Sequence, residues 1–393
     1  MLSTTGAPND PAPASLSTFY VSEWQRTQDL ATWWLNRMIT SPTPIVEKMT
    51  LFWHNHFVSA EDKVNKALYM YRQNHNQRIY GMGSFVNLAQ NMAIQPAMLA
   101  YLDNDANVKG APNQNFAREL MELFLLGVGN YSEDDVIASA RAWTGHGIDA
   151  ATQAYTFTPA EHDTDPKTFF GTTKNWDGPD IITEILTNPA KRLISARFIA
   201  KKLWSYFAYP NPDDTIVTAL ANSFVASGLN IRSLLKAIFL RDEFWSTAAR
   251  QGLVRSPVEY AVNIMRAAGL TAEDVNPEWY LADMGQQLFY PPDVSGWKQN
   301  GYWISTSSAS ARANFAQHVA WVANDKGKLW TWGTTNTAAL VNVSTKLAGL
   351  TTVSTNTRQV LTSYVDAQRP VATWPIKTGI YTLTLLSPEM QLA

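Results

Sequence analysis

The stretch from Asn115 to Ala140 reads NFARELMELFLLGVGNYSEDDVIASA, and it decides the fold class. Its apolar residues recur at spacings of three and four, as they do on the buried face of an α-helix. Gly127 is typical of the residue that follows a helix, and Ser132 with Asp135 is typical of a capping box that opens the next one. The stretch therefore predicts two successive helices joined by a short turn.

Similar signals recur along the chain. Pro44, Pro189 and Pro257 each stand in the first turn of a predicted helix, and Gly269 closes the last of these helices. Strand signals are short and lie near residues 150–178, where AYTFTP and KTFFGTT are expected to pair with each other. We therefore expect a mainly α, multi-helix globular protein with a small irregular or two-stranded β insertion in that region.

The domain organisation predicted from composition is simple. Residues 1–15, rich in Pro, Ala and Ser, are expected to form a flexible arm, and residues 16–393 a single helical domain with sub-lobes at 16–178 and 179–393. The opening residues have neither the basic nor the apolar region of a signal peptide. No apolar window is long enough to span a membrane, so we expect no membrane insertion.

Composition excludes several classes of function. The chain has 31 basic and 33 acidic residues and a net charge of -2, which disfavours a nucleic-acid partner. It has no cysteine, so thiol catalysis and thiolate metal sites are excluded. Glycine-rich phosphate-binding patterns are absent, and neither a nucleotide nor a flavin is expected. The 15 Trp, 15 Tyr and 16 Phe residues suit either a thick aromatic core or a surface that contacts sugars.

Two histidines in the stretch FWHNHF raise the question of a metal site. On a helix, His54 and His56 would point about 200° apart and could not bind one ion together. His56 shares the core face with Phe52 and Trp53, whereas His54 lies on the opposite face and is expected to be the freer of the two. Both remain candidate metal ligands only if the segment ends in an extended turn.

A polar helix face offers a second candidate site. Asn115, Glu119 and Glu122 follow each other at spacings of four and three, with Arg118 placed to pair with Glu122. Two neighbouring carboxylates suit general acid and base catalysis, because burial and neighbouring charges can separate their pKa values. The alternative is an ordinary solvated face with one ion pair.

The loop EHDTDPK and the turn WTGHG offer the third candidate. The carboxylates of Asp163 and Asp165, two residues apart, could bind a divalent cation together with His162, and Lys167 completes a compact polar loop. An Asp in a turn also commonly hydrogen-bonds its own backbone. Glycines on both sides of His146 suggest a tight exit from a helix that presents this histidine to a cleft. Loops with aromatic residues are expected to contact a ligand, through side chains that include Trp143, Trp297 and Trp303.

The order of these motifs resembles a known bacterial family. FWHNHF, PNQNFARELMELFLLGVGNYSEDDVIASARAWTG, HDTDPKTFFG and PPDVSGWKQNGYWISTSSASAR occur in the same order as in the family called domain of unknown function 1800. The resemblance implies an exported protein of the periplasm or the cell exterior, often encoded beside a partner similar to alkaline phosphatases and sulfatases. It also carries over a set of residues: His56, Asn115, Arg118, Glu119, Glu122, Thr144, Gly145, His162, Asp163, Lys167, Trp297 and Arg312.

The chain departs from this family pattern at two positions. Gln114 and Phe124 stand where relatives commonly have Glu and His, and each replacement removes an ionisable group. If the histidine served relatives as a ligand or a base, this protein would be impaired or would act by another route. The chain also begins later than its relatives, without an export signal, as expected for a processed or shortened member.

Three functional hypotheses follow. The first is a hydrolase that acts on an extracellular polysaccharide-like polymer, with Glu119 or Glu122 as general acid and Asp163 as the second carboxylate. The second is a metal-dependent hydrolase whose one divalent ion is bound by His54 or His56, by His162 and Asp163, and by one glutamate. The third is a binding or assembly protein without catalytic activity, in which the polar residues only fix the loops.

Overall fold

The computed structural model describes residues 11–18, 20–330, 336–369 and 374–393. Most of the expected N-terminal arm lies outside the described residues. The prediction of a mainly α protein is confirmed, with two small antiparallel sheets near the expected insertion. In the described ranges, no helix combines the length and the apolar character that crossing a bilayer requires.

The α-helices, numbered in chain order, are α1 (Glu23–Thr40), α2 (Pro44–His54), α3 (Glu61–Val64), α4 (Ala67–Tyr80), α5 (Phe85–Ala93), α6 (Pro96–Tyr101), α7 (Gln114–Glu119), α8 (Glu133–Ala142), α9 (Gly178–Thr187), α10 (Pro189–Phe207), α11 (Asp214–Ala226), α12 (Ile231–Phe239), α13 (Pro257–Ala268), α14 (Ala272–Val275), α15 (Glu278–Asp283), α16 (Thr306–Asp325), α17 (Thr337–Leu347), α18 (Thr355–Gln368), α19 (Trp374–Leu385) and α20 (Pro388–Gln391). The expected capping boxes are formed at Ser132 with Asp135 and at Ser256 with Glu259. Gly269 ends α13 in the left-handed conformation, as predicted.

The β structure consists of two local hairpins. Strands β1 (His146–Asp149) and β2 (Ala154–Phe157) pair antiparallel, as do β3 (Lys167–Phe169) and β4 (Thr172–Lys174). The expected pairing of AYTFTP with KTFFGTT is therefore wrong. AYTFTP pairs with the segment that precedes it, whereas KTFFGTT folds back on itself as most of the β3–β4 hairpin. Both hairpins close a shorter loop than the predicted pairing would.

The predicted helix at Asn115 is not a single regular helix. It runs as α7 to Glu119 and continues as a π-helix over Leu120–Leu125. A π-helix widens the turn and shifts the side chains that follow it around the axis, and such segments occur frequently at functional sites.

The chain divides into two compact units. The first comprises the described residues up to Thr27, then Thr43–Ser246 and Phe289–Trp297. Its interior contains an aromatic cluster in which the ring centroids of Trp53 and Phe85 lie 5.9 Å apart and those of Phe57 and Phe124 lie 5.4 Å apart. All four side chains are buried, so these rings form an aromatic core, which is one of the two roles that the composition suits.

The second unit comprises Gln28–Pro42, Thr247–Leu288 and the described residues of Lys298–Ala393. Helix α16 packs against α13, α15 and α19, and Phe315 contacts the rings of Tyr260 and Tyr280. A further apolar cluster joins α17, α18 and α19. Its buried residues are Leu340, Val341, Leu361, Val365, Ile376 and Ile380.

Helix α2 of the first unit is buried on both faces, contrary to the expectation that one face is free. Glu47 forms an ion pair with Arg78, with 2.8 Å between Oε1 and Nε. His54 is only 2% exposed and packs against the rings of Phe289 and Trp297. The prediction that His54 is the freer histidine is therefore wrong, because a distant segment of the same unit covers this face.

Candidate metal centre

The candidate site begins where α8 ends. Gly145 leaves the helix with φ +77°, and its carbonyl accepts a hydrogen bond from the backbone N–H of Thr158 at 2.8 Å. A Cβ atom at this position would lie 2.7 Å from the carbonyl oxygen of Thr158 and 3.1 Å from the amide nitrogen of His162. Only glycine fits both the left-handed backbone and this close approach. The turn brings the start of β1 against the loop that carries His162.

His162 is buried and has a defined orientation. Its Nδ1 lies 2.8 Å from the carbonyl oxygen of Thr144. Because a carbonyl only accepts, Nδ1 carries the proton in the neutral ring, and Nε2 keeps a lone pair. Metal-binding histidines are commonly fixed in this way, with one ring nitrogen donating to the backbone and the other facing the ion.

His146 links two further side chains. Its Nε2 lies 2.8 Å from Oδ1 of Asp177, and its Nδ1 lies 2.9 Å from the hydroxyl oxygen of Tyr155. Since the carboxylate only accepts, Nε2–H donates to Asp177 and Nδ1 accepts from Tyr155. His146 is 2% exposed at its side chain, whereas the Asp177 side chain is 46% exposed. The carboxylate therefore forms the open side of the group.

Asp177 has a dual role because it also caps α9. Its Oδ1 accepts the backbone N–H of Gly178 at 2.9 Å. Burial acts to raise its pKa, but the hydrogen bond from His146, the N–H of Gly178 and the nearby His162 prevail, and the pKa lies below the ordinary value. Asp177 is thus an ionised carboxylate near neutral pH.

The three side chains could together hold a metal ion. One ligand atom from each of His146, His162 and Asp177 lies within 4.8 Å of the other two. Ligands bound at about 2.1 Å in a tetrahedral site are roughly 3.4 Å apart, so binding requires a small contraction of the group. Within the described part of the chain, no other set of three such side chains converges in this way.

Aromatic rings enclose the histidines. Trp143 lies edge-on to His146 with 4.9 Å between ring centroids, and Phe157 lies 5.3 Å from His162. Gly178 allows Trp143 to pack at the start of α9, because a Cβ there would lie 2.5 Å from the indole ring. Trp143 is fully buried, so its contacts in this conformation are with protein groups.

The neighbouring loop residues hold the loop in place. Asp163 accepts two hydrogen bonds from Arg141, at 2.6 Å and 3.2 Å, and its backbone N–H donates to Thr144 Oγ1. Burial opposes ionisation of Asp163, but the hydrogen bond from Arg141 keeps its pKa below the ordinary value. Lys167 donates to the carbonyls of Asp163 and Asp165, the latter at 3.1 Å. Asp163 and Lys167 thus orient the loop that presents His162.

The predicted carboxylate pair lies elsewhere in the first unit. Glu119 and Glu122 are both partly buried, and the pKa of Glu119 is raised by burial and by the charge of Glu122. Arg118 pairs with Glu133 at 2.6 Å instead of with Glu122, so this part of the prediction is wrong. Glu122 accepts a hydrogen bond from Tyr131. Glu122 lies in the π-helix, which does not keep the regular i, i+4 spacing on which the expected pair depends.

Other predicted site residues make structural contacts. Asn115 donates to the carbonyl of Leu102 at 3.3 Å. His56 is buried, as its core interpretation predicts, with Nε2 2.9 Å from the Phe124 carbonyl oxygen and Nδ1 2.9 Å from Nζ of Lys202. Burial lowers the pKa of His56 well below its ordinary value, and that of His54 to about 3. Neither histidine belongs to the group around His162.

The aromatic loops are largely buried. Trp297 is 5% exposed and Trp303 is 6% exposed, so their burial gives the expected ligand contacts no support. Arg312 is buried in the second unit, where it donates to the carbonyl of Arg255 at 2.7 Å and to the side chain of Gln391 at 2.8 Å. Its contacts hold the C-terminal residues.

Sequence reasoning missed Asp177 and Tyr155 as partners of His146. Asp177 precedes Gly178 and Pro179 and has the pattern of a helix N-cap, so its local role conceals its proximity to the histidines. Tyr155 lies opposite Ile148 in the β1–β2 hairpin. The register of that hairpin was the signal that could have placed Tyr155 near His146.

The chain is thus a mainly helical protein with two small hairpins, beside which His146, His162 and Asp177 come together. The chain belongs to the family described as Protein of unknown function (DUF1800), whose profile matches residues 7–392. This confirms the family resemblance of the motifs. No curated protein and no solved structure matches the chain.

Proposed function

We propose that the protein is a metal-dependent hydrolase whose centre is His146, His162 and Asp177. The observation that carries the proposal is the convergence of two imidazole nitrogens and a carboxylate oxygen within 4.8 Å. Two histidines and one carboxylate are a common ligand set for catalytic zinc and for other divalent transition metals, and they leave coordination positions open. An ion there would lower the pKa of a bound water and polarise a substrate carbonyl or phosphoryl group.

The surrounding residues support this chemistry. His162 already directs its proton to the Thr144 carbonyl, so its Nε2 needs no rearrangement to become a ligand. His146 must move its proton from Nε2 to Nδ1, where the oxygen of Tyr155 is placed to accept it at 2.9 Å. Burial, and then the charge of Asp177, raise the pKa of Tyr155, so this hydroxyl stays protonated. In that arrangement its proton is available to a substrate oxygen.

Metal binding tests the proposal directly. The protein is stripped with a chelator, dialysed, and titrated with Zn²⁺, Mn²⁺ and Co²⁺ while thermal unfolding is followed, and bound metal is counted by plasma mass spectrometry. We expect one ion per chain and a stabilisation of about 3 kcal/mol at a hundredfold excess over the Kd. Asp177→Asn keeps an N-cap for α9 but loses the charge, and it should weaken binding at least about tenfold.

The controls separate ligation from loss of fold. His162→Ala should abolish stoichiometric binding. His75→Ala removes a histidine of α4 that lies outside the group and should bind metal like the wild type. Hydrolysis of chromogenic esters, phosphate esters and polysaccharides is then compared with and without metal. Equal metal content in wild type and His162→Ala would refute the metal centre, and a metal-loaded protein that hydrolyses no substrate class would refute the hydrolase.

A second candidate function is a polysaccharide hydrolase that uses Glu119 and Glu122. It is favoured by the raised pKa of Glu119 beside the charge of Glu122, a pattern expected of a general acid and its partner. Asp163 supports it less, because both of its oxygens are bonded to Arg141. Polysaccharide cleavage that persists in chelator, and that is lost in Glu119→Gln, would favour this candidate over the metal centre.

A binding or assembly role without catalysis is the third candidate. It is favoured by the network of Arg141, Asp163 and Lys167, whose bonds fix a loop and leave little free for chemistry. The periplasmic or extracellular location and the phosphatase- or sulfatase-like partner are also proposals, and they rest on the family resemblance alone. Secretion of the full-length protein in its native host, followed by capture of its partners, tests both.

A further inference from the structure

The second unit contains a cavity that is independent of the metal centre. Its volume is about 810 Å³, which lies within the range of roughly 300–1,000 Å³ that small-molecule sites commonly occupy. One wall is a face of α16, where Asn314, Gln317, His318 and Trp321 follow each other at helical spacing. The other walls come from Tyr280 in α15 and from residues of α18 and α19.

The described part of the lining is aromatic and polar and contains no carboxylate, ammonium or guanidinium group. Of the described residues that line the cavity, none is Asp, Glu, Lys or Arg, although 16% of the chain is charged. Such a lining offers no counter-charge to a phosphate, a carboxylate or an amine, so it favours an uncharged ligand. The amides of Asn314 and Gln317 offer both donors and acceptors, as the hydroxyl groups of an uncharged ligand require.

Three rings form a row along one side of the cavity. Tyr280 and His318 lie 5.2 Å apart at 23°, and His318 and Trp321 lie 6.5 Å apart at 21°. His318 is held because its Nε2–H donates to the carbonyl of Val275 at 2.9 Å. Trp321 is 57% exposed, so much of its ring surface is open to a ligand. An exposed indole next to amides suits a ligand with one apolar face and several hydroxyl groups.

The opposite side of the cavity is closely fitted. A Cβ atom on Gly379 would lie 1.7 Å from the hydroxyl oxygen of Tyr364, so glycine is what allows this tyrosine to lie in the wall. Thr382 donates its hydroxyl proton to the carbonyl of Thr378 at 2.8 Å and keeps its oxygen lone pairs as acceptors. The wall thus adds neutral acceptors to the amides of α16.

We infer that this cavity is a binding site for a short, uncharged oligosaccharide, with the sugar ring stacked on Trp321 and its hydroxyl groups bonded to Asn314 and Gln317. Pyranose rings present C–H groups on one face and hydroxyl groups at the edge, which is the chemistry that this lining complements. The inference does not depend on the metal centre, because every residue that it uses lies in the second unit.

Calorimetry on the full chain tests this site. The probes are the tetrasaccharides of cellulose, chitin, laminarin and amylose at millimolar concentration, with an alginate tetrasaccharide as the charged comparison. All titrations are made in chelator, so that failure of the metal-centre proposal leaves this result unaffected. We expect at least one neutral tetrasaccharide to bind, and Trp321→Ala to weaken it by about tenfold or more.

Matched variants give the test its specificity. Trp279→Ala removes another exposed tryptophan, 75% exposed, that does not line the cavity, and this variant should bind like the wild type. Gly379→Ala should weaken binding by displacing Tyr364. Binding by no neutral tetrasaccharide, stronger binding of the alginate tetrasaccharide, or equal losses in Trp321→Ala and Trp279→Ala would each overturn the inference.

Discussion

Replacement of Gly145 by alanine should affect both the stability of the first unit and its candidate metal centre. The new side chain would be placed on a residue with φ +77°, a conformation that costs L-residues roughly 1–2 kcal/mol. Its Cβ would also lie 2.7 Å from the Thr158 carbonyl oxygen and 3.1 Å from the His162 nitrogen. Both are backbone atoms that cannot swing away, and such overpacking adds roughly 1–3 kcal/mol. We expect a total loss of about 2–5 kcal/mol.

Gly171→Ala is the matched control. Gly171 has nearly the same backbone angle, φ +79°, but no atom lies within 4 Å of the position of its Cβ. This variant should lose only the conformational part, roughly 1–2 kcal/mol. The difference between the two variants therefore isolates the steric contact at the turn before His146.

Urea unfolding followed by circular dichroism and tryptophan fluorescence measures both losses, with the slope of each transition compared to show that the unfolded states are alike. A second readout is the affinity for Zn²⁺, which should fall in Gly145→Ala and stay unchanged in Gly171→Ala. The reason is that the new Cβ at residue 145 presses on the backbone of His162, whereas the one at residue 171 contacts no described atom. If Gly145→Ala costs no more than Gly171→Ala, the reasoning about this turn is wrong.

Three further predictions concern charges buried in the first unit. Burial raises the pKa of Glu61 from 4.5 to about 7, so the wild-type fold loses stability as the pH rises between these two values. In urea titrations, Glu61→Gln should therefore add about 2–3 kcal/mol of stability at about pH 8 and much less at about pH 5. Arg78→Met should lower stability by about 3–5 kcal/mol, because it leaves Glu47 buried without its partner. Adding Glu47→Leu should restore most of the lost stability, and a double variant as unstable as Arg78→Met would contradict this account. Burial lowers the pKa of Lys202 from 10.5 to about 8. Between these pH values the stability of the wild type should rise by about 1 kcal/mol per pH unit relative to that of Lys202→Met. Parallel stability profiles of the two proteins would contradict this prediction.

Local sequence signals predicted the helices because the interactions that form them are local. The capping boxes at Ser132 and Ser256 bond groups three residues apart, and the sequence alone therefore places them correctly. The π-helix after Glu119 was not predictable in the same way. Its spacing depends on the tertiary contacts of the segment, and Arg118 pairs with Glu133 and not with Glu122, which lies in this π-helix.

The candidate site was likewise predictable from the sequence only in part. His146 and His162 could be identified as unusual polar residues in glycine-containing or acidic turns, and the family could be identified from the order of its motifs. The approach of both histidines to Asp177 could not be predicted from spacing, because His146 begins β1, His162 lies in the loop after β2, and Asp177 precedes α9. Likewise, the cavity of the second unit combines helices that are far apart in sequence.

The sequence by itself thus determined the helical class, the helix boundaries marked by caps, the absence of thiol chemistry and the family. Only the tertiary structure decided that both faces of α2 are buried, that Asp163 is bonded to Arg141, and that His146, His162 and Asp177 share one site. The physical reason is the distance along the chain over which each interaction acts. Helix caps and periodicity act over a few residues, whereas burial, ion pairing and ligand geometry depend on segments that long loops bring together.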